Sequence, residues 1–148
     1  SEVERVHSWI MDAVSNGADV VAGGTAEGNV LAPTVLRGVR ADDTVMRNEV
    51  FGPVVTLCPF DTLDEAIHNA NATEYGLASG IFTRDITTAL DAADRLKMGS
   101  VHINETSSSR VDIMPFGGLK RSGFGGAEGP KYAIRDMSEE RVITLSRA

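Results

Sequence analysis

Cysteine is almost missing from this chain: Cys58 stands alone, so no internal disulfide can form. With one cysteine, and with His7, His68 and His102 far apart and at no ligand spacing, no metal site is expected. Long apolar runs are absent too, none approaching the roughly 20 residues that span a bilayer, and no membrane partner is expected. Nor is there a surplus of positive charge. Lys and Arg number 14 against 21 Asp and Glu, and the net charge of -7 argues against nucleic acid, whose binders carry basic stripes. Internal repeats and coiled-coil heptads are missing as well. The opening stretch, Ser1 to Asn16, is acidic and amphipathic rather than of the signal-peptide type. Cytoplasmic residence is therefore the expectation, and the glycosylation-like triplets at Asn71 and Asn104 are read as chance.

What is present is the composition of an ordinary globular chain, 42% apolar and 24% charged over 148 residues, enough for one core. Val3, Val6, Ile10, Ala13 and Val14 fall at helical spacing behind a Ser1/Glu4 capping box, and predict a helix over 1–16 closed by Gly17. Strands are expected from Asp19 to Gly24 and from Thr34 to Val39, with a loop through Asn29 between them. A third strand runs from Val54 to Cys58. Thr62 to Glu65 is a capping box for a short helix carrying Leu63, Ala66, Ile67 and Ala70. A strand within 76–83 follows, then a helix capped by Asp85 and ended by Gly99, then a strand over 101–104. Strands and helices alternating with short connections predict an α/β fold, a mainly parallel sheet with right-handed crossover helices. Beyond Asn104 comes a long Ser- and Gly-rich segment, and loops of that length in compact domains are usually functional. A short helix over 129–137 and an apolar strand at Val142 to Leu145 close the chain.

Two strings carry the chemistry. The first is N-E-V-F-G-P-V, Asn48 to Val54, where a Gly-Pro bend feeds a β-branched strand and holds Glu49 and Phe51 at its entrance. The second is M-P-F-G-G-L-K-R-S-G, Met114 to Gly123, which presents Phe116 between a rigid proline and two permissive glycines. Together they resemble the aldehyde dehydrogenase superfamily over essentially the whole chain. The family's catalytic cysteine and general-base glutamate normally precede the matching region. Neither motif is found here, so no catalytic residue is assigned. The resemblance implies the C-terminal half of the catalytic domain over 1–128, and a short helix with an oligomerisation strand over 129–148.

It also implies an NAD(P)-dependent oxidation of a small aldehyde to a carboxylic acid. Glu49 matches the glutamate that holds the nicotinamide ribose, and an ionised carboxylate can accept from two sugar hydroxyls at once. Phe51 matches the ring beside the nicotinamide. These two are the cofactor residues, the alternative being a surface charge at Glu49 and a core ring at Phe51; NAD or NADP is left open, because the part that reads the ribose 2′ position is not in this region. Phe116 matches the ring that lines the pocket near the reacting carbon. The alternative is an aromatic plug that only anchors its loop. Residues 105–113 match the variable loop facing the substrate, and here it carries three serines and Arg110. The R-x-D-x-M-P-F string and K-Y-A-I-R-D-M-S look most like members acting on small, often anionic or hydroxylated aldehydes. Arg110 could grip an anionic group through two parallel hydrogen bonds, or it could pair with Asp112 in solvent. Both readings stay open at this point. A homo-oligomer, dimer or tetramer, is implied through the terminal strand, and the isolated chain should be inactive.

The alternatives of other class are a CoA-acylating or acyl-phosphate-reducing relative of the same fold, and a non-catalytic oligomerisation fragment. Cys58, in an apolar strand, is expected in the core, where a thiol is inert. Gly123 to Gly126 follows no strand and makes no dinucleotide fingerprint, and Lys120 lacks phosphate-loop spacing.

Overall fold

The computed structural model describes residues 1–124 and 128–146, and the chain forms two compact units, Ser1–Asp61 and Thr62–Ala148. In the first, Ser1 and Glu4 form the expected capping box, and helix α1 runs over Glu2–Ser15. Its stripe of Val6, Ile10 and Ala13 is buried, and Gly17, at φ 106°, takes the left-handed turn that lets the chain leave the helix. Strands β1 (Asp19–Ala22), β2 (Ala26–Glu27), β3 (Val30–Leu31) and β4 (Thr34–Arg37) follow. The stretch expected as a loop is instead a small hairpin, β2 against β3, closed by two residues with Gly28 at φ 58°. A single turn of helix, α2 (Thr44–Arg47), precedes β5 (Val54–Leu57).

Strand β4 lies at the centre of a three-stranded sheet, antiparallel to β1 and parallel to β5. Leu36 points from it into the core formed by Val6, Ile10, Ala13, Ala18 and Val45. Full burial of a side chain such as Ile10 or Leu36 contributes about 1.5–3 kcal/mol. Asp43 is buried beside this core with both carboxylate oxygens satisfied, one by the Asn16 amide at 2.6 Å and one by the Arg40 backbone N–H at 2.8 Å.

The second unit opens with α3 (Leu63–Asn71), whose first turn is capped by the Thr62 hydroxyl. Strands β6 (Tyr75–Gly76) and β7 (Ala78–Ile81), helix α4 (Ile86–Arg95), strands β8 (Ser100–Ile103) and β9 (Leu119–Lys120), and helix α5 (Pro130–Asp136) complete it. Asp85 caps α4 by accepting from the Thr87 and Thr88 backbone N–H groups. Helix α4 is the crossover joining β7 to its parallel neighbour β8, while β6 pairs antiparallel with β9. Asn71 ties the two helices together: its amide donates to the Arg95 carbonyl and accepts from the Lys97 N–H.

The architecture is α/β, but two expectations need correction, the direction of the sheet and the place of Cys58. The sheet is not mainly parallel: among the described residues the strands form four small sheets, two of them wholly antiparallel. Hydrophobic patterning marked the strands, whereas pairing direction depends on connections as short as the Gly28–Asn29 turn, which only antiparallel neighbours allow. The stretch from Val142 to Leu145, expected to pair with a partner chain, has no strand partner among the described residues of this chain, and its apolar side chains are exposed. An extended segment needs a paired edge, and among the described residues none meets it. Cys58 is exposed rather than in the core, because β5 ends at Leu57 and the chain leaves the sheet there.

Candidate functional site

In the first unit the corner between α2 and β5 carries Glu49 and Phe51. Asn48 closes α2 by donating its backbone N–H to the Thr44 carbonyl, and the chain then turns through Gly52 and Pro53 into the sheet, with Thr34 N–H donating to the Pro53 carbonyl at 2.8 Å. Glu49 is exposed. Among the described residues it has neither hydrogen bond nor ion pair, so both its oxygens remain able to accept. Phe51 is 79% exposed and sits at φ 49°, a left-handed conformation that side-chain-bearing residues rarely adopt. An aromatic ring that is both strained and left in solvent has not been placed by core packing, and such outliers collect at ligand sites.

The second unit holds a cleft of about 420 Å³, within the range of small-molecule sites. One wall is a face of the parallel pair β7 and β8, where Ala78, Ser100 and His102 line the cavity; the opposite wall is the segment from Ser107 to Phe116. Asn104 makes this possible. At φ 56° it turns the chain sharply as β8 ends, and its side-chain carbonyl accepts from the Thr83 N–H at 2.8 Å, which fixes the turn to the end of β7. The far end of the segment is pinned by reciprocal backbone hydrogen bonds between Phe116 and Glu128, and Gly99 and Gly117 approach so closely that no side chain fits at Gly99.

Inside this frame the Arg110 guanidinium lies over the Phe116 ring, 4.4 Å from its centroid. Among the described residues Arg110 makes no ion pair, with Asp112 or any other carboxylate. The cation therefore rests on an aromatic face and retains its donors. Sequence reasoning overlooked His102 as a cleft residue. The signal was there in Ser-Val-His-Ile, whose alternation places Ser100 and His102 on one face of β8 and Val101 and Ile103 on the other.

Lys120 is committed elsewhere, since its ammonium donates to the carbonyls of Asn71 and Thr73 at 3.0 Å each and closes the end of α3. Among the described residues no group of three or more His, Cys, Asp or Glu could hold a metal ion, and no helix is long and apolar enough to cross a membrane.

Residues 1–143 match the sequence model of the aldehyde dehydrogenase family. The chain belongs to that family. It is 46% identical over 145 residues to the 3-sulfolactaldehyde dehydrogenase of Priestia aryabhattai, covering 98% of this chain and 30% of that protein. Two solved structures share the fold of this aldehyde dehydrogenase family chain. Aldehyde dehydrogenase 21 of Physcomitrella patens, in complex with the reaction product succinate, superposes with a TM-score of 0.88 at 39% identity, over 92% of this chain and 28% of that one. The glyceraldehyde-3-phosphate dehydrogenase GapN of Methanocaldococcus jannaschii, complexed with NADP, gives 0.87 at 40% identity, over 93% of this chain and 30% of that one. The chain thus spans about 30% of the length of the relatives it matches.

Proposed function

We propose that this chain is the part of an NAD(P)-dependent aldehyde dehydrogenase that holds coenzyme and substrate, and that the substrate is a small aldehyde with an anionic or hydroxylated tail. The observation that carries the substrate side is Arg110 lying over Phe116 in a cleft rimmed by serines. A guanidinium parked on a ring is oriented without being neutralised, so it can meet a carboxylate, sulfonate or phosphate with two donors. Ser100, His102 and the serines from Ser107 to Ser109 offer hydrogen bonds for a hydroxyl beside it. The relative that acts on 3-sulfolactaldehyde and the neighbour holding succinate both handle small anionic compounds, in keeping with this chemistry.

The coenzyme side rests on Glu49 and Phe51. A solvent-facing carboxylate with both oxygens available fits a pair of ribose hydroxyls, and an exposed ring next to it fits a flat heterocycle, so the residues present suit NAD or NADP. When bound, the coenzyme accepts the hydride as aldehyde and water become carboxylate. This chain carries neither the family's cysteine motif nor its base-glutamate motif; what it contributes is position. Misplacement by about 1 Å can cost on the order of a hundredfold in rate, which makes such a clamp part of catalysis, and the chain by itself should be inactive. In the same reading, residues 1–128 belong to the catalytic domain of a cytoplasmic enzyme. Residues 129–148 serve a homo-oligomer, in which the exposed Val142, Ile143 and Leu145 gain a partner strand.

The test is Arg110→Leu in the full-length dehydrogenase, assayed with succinic semialdehyde and with butanal. The expected result is a KM raised roughly a hundredfold for the anionic aldehyde, the loss of a charge-assisted pair, and little changed for the neutral one. Equal effects on both would overturn the anchor.

A further inference from the structure

Resting on the reading of Glu49 and Phe51 as coenzyme contacts, we propose that Arg5 is a positioning residue for the coenzyme, acting through the corner that carries them. The left-handed backbone at Phe51 is unfavourable and persists only if its neighbours fix it from both sides. Helix α1 supplies both restraints from adjacent residues. On one side the Arg5 guanidinium donates from Nη2 to the Val50 carbonyl at 2.9 Å, across 45 residues of chain. On the other side Gly52 lies against the Val6 side chain so tightly that a Cβ there would meet its methyls at 3.2 Å. Phe51 is the residue between.

Arg5 is itself held in place. Its Nε and Nη2 donate to the Glu2 carboxylate at 2.9 and 2.7 Å, and its guanidinium stacks over Trp9 at 4.5 Å from the ring centroid. A side chain fixed by an ion pair and an aromatic face, and aimed at one backbone carbonyl, restrains that carbonyl more firmly than a loose surface arginine would. The geometry is specific to arginine, because a single ammonium cannot lie flat on Trp9 while reaching both Glu2 and Val50 with separate N–H groups. Releasing Val50 frees the left-handed turn to relax and takes Glu49 and Phe51 off the coenzyme, while the cleft that holds the aldehyde keeps its own restraints.

The test compares Arg5→Met, Arg5→Lys and Glu49→Gln in the full-length dehydrogenase, with KM measured for coenzyme and for aldehyde and with thermal unfolding alongside. Arg5→Met keeps the stem on Trp9 and removes the donors. It should raise the coenzyme KM roughly tenfold, as expected when, of the three bonds lost, the charged one to Val50 is the one that bears on the corner, with aldehyde KM unchanged. Arg5→Lys should fall between wild type and Arg5→Met, and if the methionine variant does not fold, a coenzyme-only rise in Arg5→Lys decides the matter. An unchanged coenzyme KM in the folded Arg5 variants, or coenzyme and aldehyde KM rising together, would overturn the proposal. Glu49→Gln separates the two claims: if it leaves the coenzyme KM alone the corner's own role falls, whereas a rise there with no Arg5 effect removes only this inference.

Discussion

Arg110 reaches across six positions of sequence to cover the ring of Phe116, and the two side chains form one continuous wall of the cleft. Two motif residues that sequence reasoning treated as separate contacts thus act as a pair, the ring setting the direction of the cation. Phe116→Leu removes the ring and keeps a branched apolar side chain. An exposed cation–π contact contributes about 0.5–1 kcal/mol, so kcat/KM for an anionic aldehyde should drop about twofold to fivefold, with a smaller change for a neutral one. Steady-state kinetics on the two substrates checks this, and a larger loss for the neutral aldehyde would mean the ring serves the reacting carbon instead.

His102 gives a second kinetic prediction. If it reads a hydroxyl on the substrate, His102→Phe should reduce kcat/KM for lactaldehyde about tenfold relative to propanal, the cost of one hydrogen bond left unmade in a partly dry site. Competition between the two aldehydes in one reaction measures that ratio directly. A ratio that does not move would exclude His102 from substrate recognition.

Gly99 tests the frame rather than the contacts. Any side chain there must displace the Gly117 carbonyl, next to Phe116, so Gly99→Ala should destabilise the second unit by about 1–3 kcal/mol, as overpacking does elsewhere. Thermal or urea unfolding would show it. An unchanged midpoint would mean that the Phe116 segment is free to move away from β8.

Asp85 ties stability to pH through the crossover helix. The Thr88 hydroxyl, followed by the Thr88 and Thr87 N–H groups, holds the Asp85 carboxyl below its ordinary value of 3.8. A folded-state value below the unfolded one means the carboxylate's contribution is fully present above the unfolded value and is lost as pH falls through the folded one. Asp85→Ala should therefore melt earlier than wild type at neutral pH, with the gap closing in acid below about pH 3.8. Melting curves of both proteins across that range check the sign; a gap that widens in acid contradicts it.

These predictions lean on elements of uneven visibility in the sequence. Helices α1, α3 and α4 were legible because Ser1, Thr62 and Asp85 are side chains that cap, followed by apolar residues at helical spacing. The β2–β3 hairpin escaped because two-residue strands offer no alternation to read, and only Gly28 hinted at the turn. Cys58 was misplaced because an apolar run says that residues resemble core, not where the strand stops. At the site, Glu49, Phe51, Arg110 and Phe116 could be named from their motifs, but the stacking of Arg110 on Phe116 and the bond from Arg5 to Val50 could not. Such contacts depend on how the chain folds back, and nothing in the spacing of Arg5 and Val50 points to it.

The most direct measurement is a crystal structure of the full-length dehydrogenase with NAD or NADP and a small anionic acid product such as succinate. The expected result is the Glu49 carboxylate on the two hydroxyls of the nicotinamide ribose, and the product's far carboxylate on the Arg110 guanidinium. A ribose held by other residues, with the product's charged end turned away from Arg110, would contradict it.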